Sequence, residues 1–131
     1  MKKGVLSLLI LIFTLGCSLS GQPVSVTISE IGTCGDYDKI NNEPVNIADE
    51  FLSSDSQITV YFYTETNLQA EITYRWFFED DLIAEYQAPL EKGYNFGWII
   101  PKETFPVGEY KVDILLGQVV LRSTAFRVVS P

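Results

Sequence analysis

Chemistry that depends on histidine is excluded from this chain. The sequence contains no histidine, so neither a Ser-His nor a Cys-His nucleophilic pair can form. It also lacks the Gly-x-Ser-x-Gly nucleophile motif and the phosphate-binding P-loop motif. Its 17 acidic side chains allow many carboxylate pairs, and no spacing distinguishes one pair from the others. We therefore predict that the protein is not an enzyme and needs no cofactor.

One cluster of acidic side chains has the chemistry of a weak calcium site. Its candidate ligands are Asp36, Asp38 and Glu43, and hard oxygen ligands in a loop suit Ca²⁺. The spacing does not match an EF-hand loop, because Ile40 takes a ligand position and Asn41 takes the position of the required glycine. Acidic residues in loops commonly form turns and cap backbone N–H groups, so we predict no metal site here.

Three aromatic residues are the better candidates for ligand or partner contact. Tyr61, Tyr63 and Phe77 occupy positions where the alternation of the chain predicts the outer face of a sheet. Grouped aromatic rings could stack on sugars or contact a protein. Two arrangements would prevent them from forming one patch. Their strands could lie in different sheets, or an outer element such as residues 31–55 could cover one of the rings.

The elements that position these side chains are predicted to be β-strands. Apolar and polar residues alternate with period two in most segments after Gly21, as in strands that bury one face. Two segments have apolar residues at alternate positions, which predicts that these residues share the buried face of a strand. They are Ile72, Tyr74, Trp76 and Phe78 in the first segment, and Phe96, Trp98 and Ile100 in the second. Turn signals recur every 8–12 residues, which predicts an all-β antiparallel sandwich of about seven or eight strands.

The long stretch of residues 31–55 is predicted to be irregular, because it is rich in Gly, Asp, Asn and Pro. Within it, residues 44–47 could form a short edge strand. We expect Ile47, Phe51 and Leu52 to hold this stretch against the sandwich.

Two features resemble the immunoglobulin-like class of sandwich. Trp76 lies at the centre of a long strand, as does the buried Trp on strand C of that class. The segment from Pro106 to Tyr110 resembles a tyrosine corner, in which the Tyr hydroxyl bonds to nearby backbone. Residues 105–129 are similar to the closing F–G hairpin of bacterial and archaeal extracellular immunoglobulin-like and fibronectin-III-like modules. The resemblance implies the fold and leaves the function open.

The N-terminus has the features of an export signal. Lys2 and Lys3 precede an apolar run over residues 5–15, which is too short to span a bilayer as a helix. Residues 14–17, Thr-Leu-Gly-Cys, resemble the lipobox of bacterial lipoproteins. That resemblance implies a signal peptide helix over residues 1–16, lipidation of Cys17 with fatty acyl chains such as palmitate, a tether over residues 17–23 and a domain over residues 24–131. Conventional cleavage after Ser18 or Ser20, or an uncleaved anchor, are the alternatives.

The charge of the domain limits its partners. Without Lys2 and Lys3, seven of the nine basic side chains remain against 17 acidic ones, which gives a net charge of about −10. Such a charge repels nucleic acid.

Together with the N-terminal signal, these features predict a lipoprotein on the periplasmic or extracellular side of the cell envelope. It would display its domain for protein–protein contact or serve as an accessory subunit. The alternative is a carbohydrate-binding module that uses exposed aromatic residues.

Overall fold

The computed structural model describes residues 25–131, so the predicted signal peptide, Cys17 and the tether lie outside the described residues. The described residues form nine β-strands. The strands are β1 (Ile28–Asp38), β2 (Glu43–Ile47), β3 (Glu50–Leu52), β4 (Ile58–Thr64), β5 (Glu71–Phe78), β6 (Asp81–Pro89), β7 (Gly93–Ile99), β8 (Gly108–Leu116) and β9 (Val119–Val129). Within residues 25–131, no helix is long and apolar enough to cross a bilayer.

The strands form a sandwich of two sheets. The four-stranded sheet has the order β2-β1-β4-β7, and the five-stranded sheet has the order β3-β9-β8-β5-β6. The predicted all-β sandwich is confirmed, with nine strands in place of the seven or eight expected. Neighbouring strands are antiparallel except β3 and β9, which pair in parallel. The strand β3 pairs with β9 only over the last three residues of β9, from Arg127 to Val129.

The prediction that residues 31–55 are irregular is wrong. Most of this stretch lies in β1, β2 and β3, and the proposed edge strand at residues 44–47 falls within β2. Phe51 is buried as expected, whereas Ile47 and Leu52 are 61% and 42% exposed. Backbone hydrogen bonds hold the segment in place, among them Ala48 N–H to Thr33 O at 3.1 Å. Backbone hydrogen bonds between strands do not depend on apolar side chains. The glycine and polar residues of this stretch therefore did not prevent strand formation.

The core lies between the inner faces of the two sheets. From β5 it receives Ile72, Tyr74 and Trp76, which are almost completely buried as the alternation predicted. From β4 it receives Ile58, Val60 and Phe62, and none of these three side chains is exposed. A shift of either strand by one residue would expose its whole apolar set to water, so the burial fixes the register.

A hydrogen-bond chain joins the two sheets and runs from the buried Trp76 to the edge of the sandwich. The Trp76 indole N–H donates to the Tyr86 hydroxyl at 3.1 Å, and that hydroxyl donates to the backbone oxygen of Trp98 at 2.8 Å. Trp76 and Tyr86 belong to the five-stranded sheet, whereas Trp98 belongs to β7 of the four-stranded sheet. The chain therefore fixes the position of β7 relative to the core.

The substitution Tyr86→Phe tests this chain. It keeps the ring and leaves the buried Trp76 N–H without its partner, which we expect to lower the free energy of unfolding by at least about 1 kcal/mol. Urea denaturation followed by circular dichroism measures the change. An unchanged free energy of unfolding would show that the hydrogen-bond chain contributes nothing to stability.

The predicted tyrosine corner is present. The Tyr110 hydroxyl donates to Pro106 O at 2.6 Å, and the Tyr110 ring stacks on Phe126 with centroids 5.0 Å apart. Gly108 precedes Tyr110 with a φ of 152°, and a Cβ there would lie 2.6 Å from a carboxylate oxygen of Glu79. The corner therefore requires glycine at position 108. The β8–β9 hairpin that follows turns at Gly117, which also has a positive φ.

Buried tyrosines predict a loss of stability at alkaline pH. Burial raises the pKa of Tyr74, Tyr86 and Tyr110, the last to about 12. The folded protein thus holds protons that an unfolded chain releases near pH 10, so this stabilisation is complete below pH 10 and is lost as the pH rises toward 12. We expect the urea midpoint to fall between pH 9 and pH 11. A constant midpoint over that range would contradict the prediction.

Candidate functional site: an aromatic surface on the four-stranded sheet

The strand β7 faces the opposite way from its predicted orientation. Phe96 and Trp98 were expected on the buried side but lie on the outer face, opposite Tyr61 and Thr59 of β4. The inner side of β7 carries Asn95, Gly97 and Ile99. Two local features allow Asn95 and Gly97 to face the interior. Two hydrogen bonds with the Glu91 backbone, at 2.8 and 2.7 Å, satisfy the buried Asn95 amide.

The second reason is the space that Gly97 leaves in the core. A Cβ on Gly97 would lie 2.8 Å from two ring carbons of Tyr74 and 3.0 Å from the Tyr86 hydroxyl. The Tyr74 ring therefore fills the volume that a side chain at position 97 would occupy. With Asn95 and Gly97 on the inner side of β7 beside Ile99, the aromatic residues Phe96 and Trp98 lie on the outer face.

These outer residues form what we call the aromatic surface: Tyr37, Tyr63, Tyr94, Phe96 and Trp98. Trp98 is 42% exposed, and the other four are partly exposed. Three of them come from β7 and Tyr63 comes from the neighbouring strand β4. The pairing of β1 with β4 ends at Cys34, and Tyr37 lies beyond this point in the part of β1 that pairs only with β2.

The rings of the aromatic surface pack against one another. Tyr37 stacks on Phe96 with centroids 4.5 Å apart and an interplanar angle of 14°, and it lies 5.8 Å from Trp98. Tyr94 contacts Tyr63 edge-on at 5.0 Å and lies 6.1 Å from Phe96. Such contacts hold the rings in fixed orientations. The arrangement is a preformed aromatic patch.

Tyr61 lies on the predicted face of the sheet but is not exposed. Its side chain is 5% exposed, so the accessibility expected for it is wrong. The ring lies across Gly32 of β1, where a Cβ would come within 2.6 Å of the Tyr61 hydroxyl oxygen. Burial and the neighbouring carboxylate of Glu30 raise the pKa of Tyr61. Tyr61 therefore belongs to the packing beneath the aromatic surface.

Tyr63 and Phe77 lie on opposite sides of the sandwich, one of the arrangements considered from the sequence. Tyr63 is in β4 of the four-stranded sheet, and its hydroxyl donates to Glu65 at 3.2 Å. Phe77 is in β5 of the five-stranded sheet, where Lys111 Nζ lies 4.9 Å from its ring centroid. The three candidate aromatic residues therefore do not form a single patch.

Of the acidic calcium candidates, Asp38 caps the turn after β1. The Asp38 carboxylate accepts hydrogen bonds from the N–H groups of Ile40 and Asn41, at 2.8 and 3.2 Å, which lowers its pKa. The Asp36 carboxylate accepts a hydrogen bond from the N–H of Tyr37 at 2.8 Å. Across residues 25–131, no three Cys, Asp or Glu side chains converge as a metal site would require, and this includes Glu43.

Cys34 is a buried residue rather than a reactive one. Its side chain is completely buried, and burial raises the pKa of its thiol to about 11. At neutral pH the thiol therefore stays protonated, and it is not accessible for a disulfide with another molecule.

Sequence reasoning missed four members of the aromatic surface: Tyr37, Tyr94, Phe96 and Trp98. One signal was available in the sequence, because Asn95 and Gly97 alternate with the aromatic residues of β7. Small or polar residues on one face of a strand leave its large residues on the other face.

Comparisons with known proteins establish the class of the fold. The sequence matches no protein-family model and no curated protein. The structure is similar to that of an immunoglobulin-like protein from Pseudomonas aeruginosa, with a TM-score of 0.58 and 10% identity over 83% of this chain and 100% of the other. Residues 25–131 therefore have the fold of an immunoglobulin-like β-sandwich.

A second similar structure is the alkylpurine DNA glycosylase AlkC of Pseudomonas fluorescens, solved with DNA that contains an abasic site analogue. The TM-score is 0.52 and the identity 13%, over 84% of this chain and 32% of the glycosylase chain. At these identities the similarity establishes the fold alone, and the described domain corresponds to only a third of that enzyme.

Proposed function

We propose that the protein is an envelope lipoprotein, anchored through Cys17, whose immunoglobulin-like domain binds a protein partner through the aromatic surface. The observation that carries the proposal is the exposure of Trp98, Tyr37 and Phe96 as one preformed patch on an otherwise acidic domain. Aromatic residues are enriched where proteins contact one another. Rings already fixed by their neighbours lose little side-chain entropy on binding.

The lipid anchor rests on the N-terminal sequence. Two or three acyl chains on Cys17 would hold the protein firmly, whereas one chain alone holds only marginally. A tether of residues 17–23 would keep the domain close to the membrane. Intact mass of the protein from membrane extracts tests the anchor. The mass expected is that of a chain beginning at a lipidated Cys17, and an unmodified chain beginning after residue 17 would refute it.

Carbohydrate binding is the second candidate, favoured by the exposure of Trp98. A sugar ring stacks on the open face of an aromatic ring, but Tyr37 already covers one face of Phe96. This packing makes a protein contact the better-supported use of the surface. Tryptophan fluorescence during titration with soluble polysaccharides separates the two functions. Saturable quenching that is lost in Trp98→Ala would favour the carbohydrate-binding module.

The partner contact is tested by site-specific photocrosslinking in intact cells. A photoreactive phenylalanine replaces Trp98 in one variant and Leu82 in a control variant. Leu82 is similarly exposed, at 52%, but lies on β6 of the other sheet. We expect a discrete protein adduct from position 98 and not from position 82. The absence of an adduct at position 98, or equal adducts at both positions, would contradict the proposal.

A further inference from the structure

One edge of the four-stranded sheet is open beside the aromatic surface. The strand β7 is the last strand of that sheet, and among the described residues it pairs only with β4. The backbone oxygen of Trp98 points away from β4, because it accepts the hydroxyl of Tyr86 on β6. In an antiparallel pair alternate residues direct their N–H and C=O groups to the same side. The backbone groups of Tyr94 and Phe96 therefore also face this edge.

A groove runs along the open edge between β7 and β6. It consists of two adjoining open depressions of about 210 and 370 Å³. Both are lined by Ala88, Phe96 and Trp98. The smaller depression is also lined by Tyr37, Tyr94 and Glu91. A segment in this groove would meet the backbone groups of Tyr94 and Phe96 and the aromatic rings beside them, whereas the Trp98 oxygen already accepts the Tyr86 hydroxyl.

The charges around the groove favour a cationic occupant. Glu91 lines it, and Glu30 accepts a hydrogen bond from the Tyr94 hydroxyl at 3.1 Å. Burial, together with the carboxylates of Glu30 and Glu43, raises the pKa of Tyr94. The basic groups nearby are Lys39, 6.0 Å from the Tyr37 ring centroid, and Lys92, which follows Glu91 in the chain. Acidic groups thus outnumber basic ones, and aromatic faces attract cations.

Building on the proposed function, we propose that this groove binds an extended, basic segment of the partner protein. The segment adds a strand to the open edge of β7 and places a Lys or Arg side chain between Glu91 and the rings of Tyr94 and Trp98. Strand addition of this kind takes its affinity from main-chain hydrogen bonds and its specificity from alternate side chains. A second copy of this chain fits less well, because each copy carries a net charge of about −10 without Lys2 and Lys3.

Peptide titration tests the proposal. The probe is a ten-residue peptide of alternating Lys and Val, and the controls are the Glu-Val peptide and a Lys-Val peptide N-methylated at alternate residues. Fluorescence of the full-length protein reports binding through Trp98. We expect saturable binding of the Lys-Val peptide that weakens with salt, and at least tenfold weaker binding of both controls. Equal binding of the Lys and Glu peptides, or no binding of the Lys peptide, would overturn the proposal.

A matched pair of variants locates the site. We expect Glu91→Gln to weaken binding of the Lys-Val peptide several-fold. Glu50→Gln makes the same charge change on β3, at the far edge of the five-stranded sheet, and should leave binding unchanged. Equal effects of the two variants would place the peptide elsewhere. If the peptide results fail while position 98 still crosslinks to a protein, only the basic-strand proposal fails. If the crosslink is absent as well, the proposed function fails with it.

Discussion

Replacing Trp76 by alanine is expected to lower the free energy of unfolding by roughly 3–5 kcal/mol. Its side chain is completely buried, contacts Phe126 edge-on at 6.1 Å and donates the hydrogen bond that begins the chain to Tyr86. Alanine would remove the ring and leave a cavity between the sheets. Because small domains have only about 5–15 kcal/mol of stability, this single change would bring the protein close to unfolding at ambient temperature. Urea denaturation measures the loss.

The matched control for this prediction is Trp98→Ala. The same residue type is removed from the outer face, where 42% of the side chain is already in water. We expect a cost of about 1 kcal/mol or less. Similar losses at positions 76 and 98 would show that the assignment of the inner and outer faces is wrong.

Gly97→Ala is expected to lower the free energy of unfolding by up to roughly 3 kcal/mol. The added methyl group would lie 2.8 Å from ring carbons of Tyr74, which is closer than carbon atoms approach in proteins. The Tyr74 ring, packed in the core beside Phe62 and Tyr86, would have to move. Since Gly97 lies between Phe96 and Trp98, the same change would disturb the aromatic surface. Denaturation curves and near-ultraviolet circular dichroism report the two effects.

Gly35→Ala provides the comparison. Gly35 is also in a strand of the four-stranded sheet, but a Cβ there would meet Asn46 at an ordinary contact distance of 3.5 Å. The variant should therefore be as stable as the original protein, or more stable by a few tenths of a kcal/mol to about 1 kcal/mol, because alanine restricts the unfolded chain. A loss at position 35 as large as that at position 97 would argue against a steric cause.

The sequence was sufficient to predict the fold where one side of a strand is plainly apolar. Ile72, Tyr74 and Trp76 are buried as the alternation indicated, and Tyr110 forms the corner that its spacing from Pro106 suggested. The prediction failed where packing depends on small residues. Nothing local to Gly32 or Gly97 shows that a tyrosine ring from another strand will lie against it, and such contacts decided the burial of Tyr61 and the orientation of β7.

The candidate site was less predictable than the fold. Tyr63 lies in the aromatic surface as a partly exposed residue, but Tyr61 is buried and Phe77 is on the other sheet. The contact between Tyr37 and Phe96 joins residues 59 positions apart in the chain. The contact between these two rings depends on where the pairing of β1 with β4 ends. That position is set by the assembled sheet and cannot be read from either segment alone. The apolar character of Phe96 and Trp98 suggested burial, whereas the inner side of β7 carries Asn95 and Gly97, and the Tyr74 ring fills the space beside Gly97.

Acrylamide quenching of the two tryptophans tests the central claim most directly, because the sandwich and its aromatic surface both require Trp76 inside and Trp98 outside. Trp76→Phe leaves Trp98 as the only tryptophan, and Trp98→Phe leaves Trp76. We predict strong quenching of fluorescence in the first variant and weak quenching in the second. Equal quenching of the two variants, or stronger quenching of Trp76, would contradict the account.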